Sequence, residues 1–214
     1  VERGSGTVTV APKVNGEVSR TEVTLPSSAL GELGRKTEAD LIIATPVASV
    51  ALPNGGLGSL ASGGGTVTVS ARRTGNQVEL AVTAGGRKVE NLRLTLTVPQ
   101  EERSPGLVAV GEDGKVIRKS VLTPEGLAIP LEGPARLELA DRGKSFADVP
   151  AGSWAAEAAA FVSARQLFNG TSETAFSPNE PMTRAMAAVV LNAVENNPAH
   201  HATHTFPHLP ARPS

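Results

Sequence analysis

The chain has 214 residues, among them 22 Gly and 16 Pro, with 40% hydrophobic and 3% aromatic residues and a net charge of −1. That hydrophobic share supports a packed core, while Gly and Pro stay below collagen-like usage. The near-balance of 20 basic and 21 acidic residues lacks the basic excess of a nucleic-acid binder, and no uninterrupted apolar run reaches the ~18–20 residues of a membrane span.

The first elements read as strands. Thr7-Val8-Thr9-Val10-Ala11 alternates with period two, and Val18 to Leu25 alternates less cleanly. Ala39 to Ala44 and Val47 to Leu52 follow, separated by Pro46, which marks an edge, a bulge or a break because proline cannot donate to a ladder. Gly65 to Ala71 is the clearest alternation. Gly75-Asn76 breaks it and Val78 to Thr83 resumes it, a hairpin signal. Gly85-Gly86 is the next turn, and Leu92, Leu94, Leu96 and Val98 share one face of a further strand.

This part contains an internal repeat. Leu25-Pro26 is followed by Leu30 and Leu33, and Leu52-Pro53 by Leu57 and Leu60, at a constant offset of 27 residues. Each copy reads as a strand ending at Pro, a short helical plug and another strand. Two copies are too few for a solenoid, so the pattern predicts a duplication inside one β-rich domain. Short strands continue at Leu107–Val110, Val116–Val121, Leu127–Pro130 and Ala135–Leu139, with a turn at Glu112-Asp113-Gly114. The polar stretch Gln100 to Pro105 is either a linker that splits two subdomains near 100–105 or, the reading preferred here, a long hairpin connection.

The period changes after Asp141. Trp154, Ala158, Phe161, Val162 and Arg165 recur at three and four residues, with Ser153 as an N-cap candidate and a stop near Asn169-Gly170. After a loop from Thr171 to Glu180, Thr183 is a second N-cap candidate, and Ala187, Val190, Leu191 and Val194 form an apolar stripe. The stripe predicts that Trp154 and Phe161 are buried against Val190 and Leu191. The fold class is therefore mostly β with a small α module: a sandwich-like or barrel-like domain over 1–140, a two-helix module over 141–197, and a tail over 198–214. No signal-like segment precedes Val1, so the chain reads as mature or excised from something longer.

Catalytic chemistry finds little support. There is no Cys, so no thiol nucleophile, thiolate metal site or disulfide framework exists. All four His (His200, His201, His204 and His208) lie in the tail, which leaves the strand-rich part without an imidazole base, and no Gly-x-Ser-x-Gly elbow is present. His200 and His204 have an i,i+4 spacing that on a helix holds a metal, but Pro198, Pro207 and Pro210 interrupt, so they are weak metal candidates beside the reading of a polar tail. The carboxylate pairs Glu101-Glu102 and Glu112-Asp113 are adjacent in sequence and do not select a glycosidase geometry. Gly55-Gly56 and Gly63-Gly64-Gly65 lack the Lys-Ser/Thr of a phosphate loop and read as turns. No catalytic residue and no cofactor are expected. Asp148, Asn169, Asn179, Thr183 and Arg184 collect at helix ends, where they are caps or, with exposed N–H groups beside a guanidinium, contacts for an anionic ligand.

Phe146-Ala147-Asp148-Val149-Pro150, Trp154, Leu167-Phe168-Asn169-Gly170, Phe176-Ser177-Pro178-Asn179 and Met182-Thr183-Arg184-Ala185 stand in an order and spacing that resembles an S-layer homology domain. The resemblance covers about 144–197. It implies a two-helix module, usually present in three copies, that tethers secreted bacterial proteins to anionic, often pyruvylated, secondary cell-wall polysaccharide on peptidoglycan. It also implies Arg184, Thr183, Trp154 and Asp148 as candidate glycan-binding residues, and an extracellular location at the cell surface or wall. Met186 stands where an acid usually follows the Thr-Arg-Ala motif. Thr205 to Pro210 is similar to a truncated opening of a second copy.

Residues from about Thr7 to Ala140 resemble the β-rich region that precedes such modules in secreted proteins of Firmicutes. The functional expectation is a non-catalytic module for attachment or spacing, which binds wall polysaccharide weakly alone and more strongly with further copies in the natural chain or by self-association. The alternatives are a carbohydrate- or protein-binding β domain of a larger extracellular enzyme or adhesin, and a remnant enzyme subunit.

Overall fold

The computed structural model describes residues 6–14 and 16–195. In chain order the elements are β1 (Thr7–Val10), β2 (Arg20–Pro26), α1 (Ser27–Lys36), β3 (Asp40–Ala44), β4 (Ser49–Leu52), α2 (Asn54–Ser62), β5 (Thr66–Thr74) and β6 (Gln77–Ala84). They continue with β7 (Arg87–Lys88), β8 (Leu94–Val98), β9 (Leu107–Gly111), β10 (Val121–Thr123), β11 (Gly126–Leu131), β12 (Ala135–Asp141), α3 (Ala156–Ala164) and α4 (Arg184–Val194). The chain divides into two compact units, Val1–Glu180 and Pro181–Ser214. The first holds both sheets and α1 to α3, and the second holds α4.

Two six-stranded sheets form the β-rich region. One runs β1-β3-β4-β8-β11-β10. The other runs β2-β5-β6-β12-β9, with β7 paired to β6. All pairings are antiparallel except β1 with β3. The alternating apolar residues supply one shared core: Ile43, Val50, Leu52, Leu96, Val98 and Ile129 from the first sheet meet Val67, Val69, Leu80, Val82 and Leu137 from the second. Burial of these side chains is the main stabilising term, at about 1.5–3 kcal/mol for each large one.

The two strand–helix–strand segments are interleaved rather than side by side. β2 of the first pairs with β5 of the second, and β3 pairs with β4. Both helices follow a proline in extended geometry, Pro26 at φ −62° and Pro53 at φ −58°. The pair Val23–Val69 corresponds to the pair Val50–Ile43. Val50 lies 27 residues after Val23, but Val69 lies only 26 after Ile43. The second segment is thus one residue shorter between its proline and its second strand, α2 having 9 residues to the 10 of α1, and this shift keeps Val67, Val69 and Ala71 facing the core, as Leu41 and Ile43 do. The helices pack closely, Leu30, Leu57 and Leu60 being buried. A Cβ added to Gly31 would lie 3.2 Å from the Ala61 Cβ, so a larger residue there would push the helices apart.

Two expectations of the sequence need correction. Val116–Val121 is not one strand: Val116 makes a single bridge to Val110, and the Ile117 carbonyl accepts from the Ser120 N–H (2.9 Å), turning the chain before β10. The first C-terminal helix starts at Ala156 and stops at Ala164 instead of running towards Gly170. Its N-cap is Ala155, not Ser153, and Gln166 adopts φ +55°, which ends the helix, the Leu167 N–H then donating to the Val162 carbonyl (2.9 Å). Among the described residues no helix is long and apolar enough to cross a membrane.

Candidate functional site

The segment after β12 is built around three phenylalanines. Phe146 is buried and meets Phe176 with ring centroids 5.2 Å apart, and Phe176 meets Phe168 edge-on at 5.3 Å. Asp148 ties the loop between α3 and α4 to this cluster: its two carboxylate oxygens accept the Phe176 N–H (2.8 Å) and the Ser177 N–H (2.7 Å). These backbone donors hold the Asp148 carboxyl below the usual carboxylate range. The Ala147 N–H donates to the Thr174 carbonyl, and the Thr171 and Ser177 hydroxyls share a 2.7 Å hydrogen bond.

A pH dependence follows from Asp148. A carboxyl with a depressed pKa contributes stability that is present above its unfolded value and lost as pH falls through its folded value. The Phe176 and Ser177 amide resonances should therefore shift on acidification with a midpoint below 3.8, the ordinary value for Asp. Asp148→Asn offers one acceptor oxygen for two donors and should speed amide exchange at one of them. A midpoint at or above the ordinary value would contradict this role.

Trp154 is not buried. It is 77% exposed, because Ala155 and Ala159 take the inward positions. Phe161 is half-buried, and the Arg165 guanidinium lies 3.7 Å from its ring centroid. The even 3–4 spacing of the stripe did not distinguish the alanines, which fit closely, from the large ring at its margin. Trp154→Ala should shift the denaturation midpoint by no more than about 0.5 kcal/mol equivalent, and the native protein should emit like a water-exposed indole.

Thr183 and Arg184 open α4 in the second unit. The Thr183 hydroxyl accepts the Met186 N–H at 3.2 Å and so caps the helix. Arg184 is exposed in the first turn, where a cation opposes the helix dipole and an anion would be favoured. Val189 and Leu191 are exposed, at 67% and 68%. Asp148 and Trp154 belong to the first unit, Thr183 and Arg184 to the second. His200, His201, His204 and His208 lie outside the described residues, as does Thr205–Pro210. Among the described residues no group of three or more His, Asp or Glu could hold a metal.

The sequence placed Arg165 on the helical stripe but did not indicate its role. It sits just past α3 and is 1% exposed. Its Nε donates to the Ser120 carbonyl (2.9 Å), Nη1 to the Pro105 and Phe161 carbonyls (3.0 and 3.2 Å), and Nη2 to the Leu107 carbonyl (3.1 Å). Burial lowers its pKa to about 10, which leaves it a cation at neutral pH. Three of these acceptors belong to the strands and loops before Asp141, so the guanidinium fastens α3 to the β-rich region. Ala164 adds an apolar contact with Val108, Val110 and Val116.

Residues 145–188 match the family model of the S-layer homology domain. The match covers α3, the loop and the first turn of α4, so the two helices after the sheets are those of an S-layer homology module. Comparison with curated proteins and with solved structures found no significant match. S-layer homology domains are non-catalytic modules of wall attachment. The chain therefore carries a structural, non-enzymatic module and has an extracellular, wall-associated location.

Proposed function

We propose that the chain holds or spaces a secreted bacterial protein at the cell wall by binding anionic secondary cell-wall polysaccharide, with Arg184 as the charged contact. The observation that carries this reading is the S-layer homology match together with an exposed Arg184 in the first turn of α4. The guanidinium and the Arg184 and Ala185 N–H groups that open that turn are donors, and a carboxylate or phosphate would use them together. Thr183 fixes the turn that presents Arg184. Trp154 offers an exposed ring for a sugar face, and Asp148 acts by holding the loop rather than by touching the anion. The module boundaries over 141–197, and the further copies that complete the binding surface in the natural chain or by self-association, are part of this proposal.

Calorimetry with purified wall polysaccharide tests it. The chain should bind weakly, a longer chain with further copies should bind more tightly, and Arg184→Ala should weaken the latter by at least about tenfold, the scale of one charge-assisted hydrogen bond. Binding indifferent to Arg184 would refute the assignment. One observation favours a second reading, a carbohydrate- or protein-binding β domain of a larger extracellular enzyme or adhesin. An open hollow of about 950 Å³ lies among loops of the β-rich region, lined by Glu17, Arg73, Asn76, Gln100, Glu101 and Glu102. Its acidic balance suits a polar or cationic ligand rather than the anionic polymer.

A further inference from the structure

A second hollow, of about 390 Å³, has the opposite character. Arg118, Arg142 and Lys144 line it with Gln166 and Asn169, and no acidic residue does. It draws on three stretches of chain: the turn before β10, the strap after β12 and the C-terminal end of α3. The strap is pinned on both sides. The Arg142 N–H donates to the Gly106 carbonyl at 3.0 Å, and the Lys144 N–H donates to the buried Ser163 hydroxyl oxygen at 3.0 Å. Both cationic side chains thus leave a fixed backbone, and neither forms an ion pair among the described residues. Arg118 is half-buried.

One feature adds to the positive field. Arg165, between the lining residues Ala164 and Gln166, is a buried cation whose hydrogen-bond partners among the described residues are all neutral carbonyls. Arg142 and Lys144 leave the strap two residues apart, so a single anion in the hollow is favoured by both charges.

We infer that this hollow binds a carboxylate or phosphate group carried by a wall glycan, as a site separate from Arg184. The source of the anion rests on the wall-binding reading above; the electrostatics of the hollow do not. A pinned strap presents Arg142 for a two-pronged contact and Lys144 as a point charge, while the Gln166 and Asn169 amides suit the hydroxyls of the attached sugar.

The test uses the 214-residue chain, labelled for amide resonances, at low salt. The probes are trigalacturonate, a carboxylate-bearing sugar, and inorganic phosphate. Trigalacturonate should shift the Lys144, Gln166 and Asn169 amides, and Arg142→Gln with Lys144→Gln should weaken its binding at least about tenfold. Both residues are exposed, so thermal melting of the double variant should match the parent. Arg87→Gln, at an exposed cation of β7, should leave this binding within about twofold, and raising the salt should weaken it. Absence of binding, shifts confined to other residues, or a double variant that binds as well as the parent would overturn the inference. Phosphate bound here with trigalacturonate unbound would overturn the glycan assignment. Purified wall polysaccharide separates the two readings: retention by the Gln variant with loss in Arg184→Ala overturns this site and leaves the proposed function standing. Loss in the Gln variant with retention in Arg184→Ala supports this site and overturns the Arg184 assignment.

Discussion

Arg165→Ala should destabilise the first unit by about 3–5 kcal/mol, the scale for breaking a buried charged hydrogen-bond network. The side chain is 1% exposed and satisfies the carbonyls of Pro105, Leu107, Ser120 and Phe161 at 2.9–3.2 Å. Its removal strips those oxygens of a donor and opens a space the size of a guanidinium against the Phe161 ring. Arg165→Lys keeps the charge but offers a single tetrahedral donor where a planar fork reaches four acceptors, so most of the loss should remain. Arg165→Met separates the terms, because it refills the volume and removes the buried charge. Its cost should lie below that of alanine. Denaturant unfolding of all three variants checks the order. A cost for alanine within ~0.5 kcal/mol of zero, the range of ordinary surface substitutions, would show that α3 does not depend on this anchor.

Arg165 also marks where sequence reading stopped. Period-two alternation located most strands, and Leu92, Leu94, Leu96 and Val98 do lie buried on one face. The Leu-Pro pairs located α1 and α2, and Thr183 was legible as a cap because its partner is three residues away. Interactions of that range are written in neighbouring residues. Those of Arg165 are not: its acceptors lie 45 to 60 residues earlier, apart from Phe161, and all are backbone carbonyls with no side-chain signature. The same reason hides the strand order. The pairing of β2 with β5 rather than with β3 is a non-local choice, and the one-residue shortening before β5 gains meaning only once that pairing is known. Trp154 failed differently, since helical spacing identifies a face but not how near its margin a residue sits. The resemblance identified the module from landmark residues without indicating that its first helix is fastened to the sheets.

Gly170→Ala should cost about 2–4 kcal/mol, combining a strained backbone with overpacking. Gly170 has φ +93°, outside the region that side-chain-bearing residues readily adopt. A Cβ there would meet the Ala175 carbonyl oxygen at 2.5 Å, the Phe146 ring at 2.8 Å and the Ser172 carbonyl oxygen at 3.0 Å. Two of these contacts are backbone, so rotating a side chain does not relieve them. Relief has to come from moving the loop, and the loop is held at Phe176 and Ser177 by Asp148. The strain should thus pass to those hydrogen bonds and to the Phe146–Phe176 contact. Amide exchange at Phe176 and Ser177 should rise before global unfolding, while the sheets, which share none of these contacts, keep their protection. Wild-type exchange at both amides together with an unchanged melting temperature would show that the loop accommodates the methyl group. Such a result would remove the argument that Gly170, Phe146 and Asp148 act as one clasp.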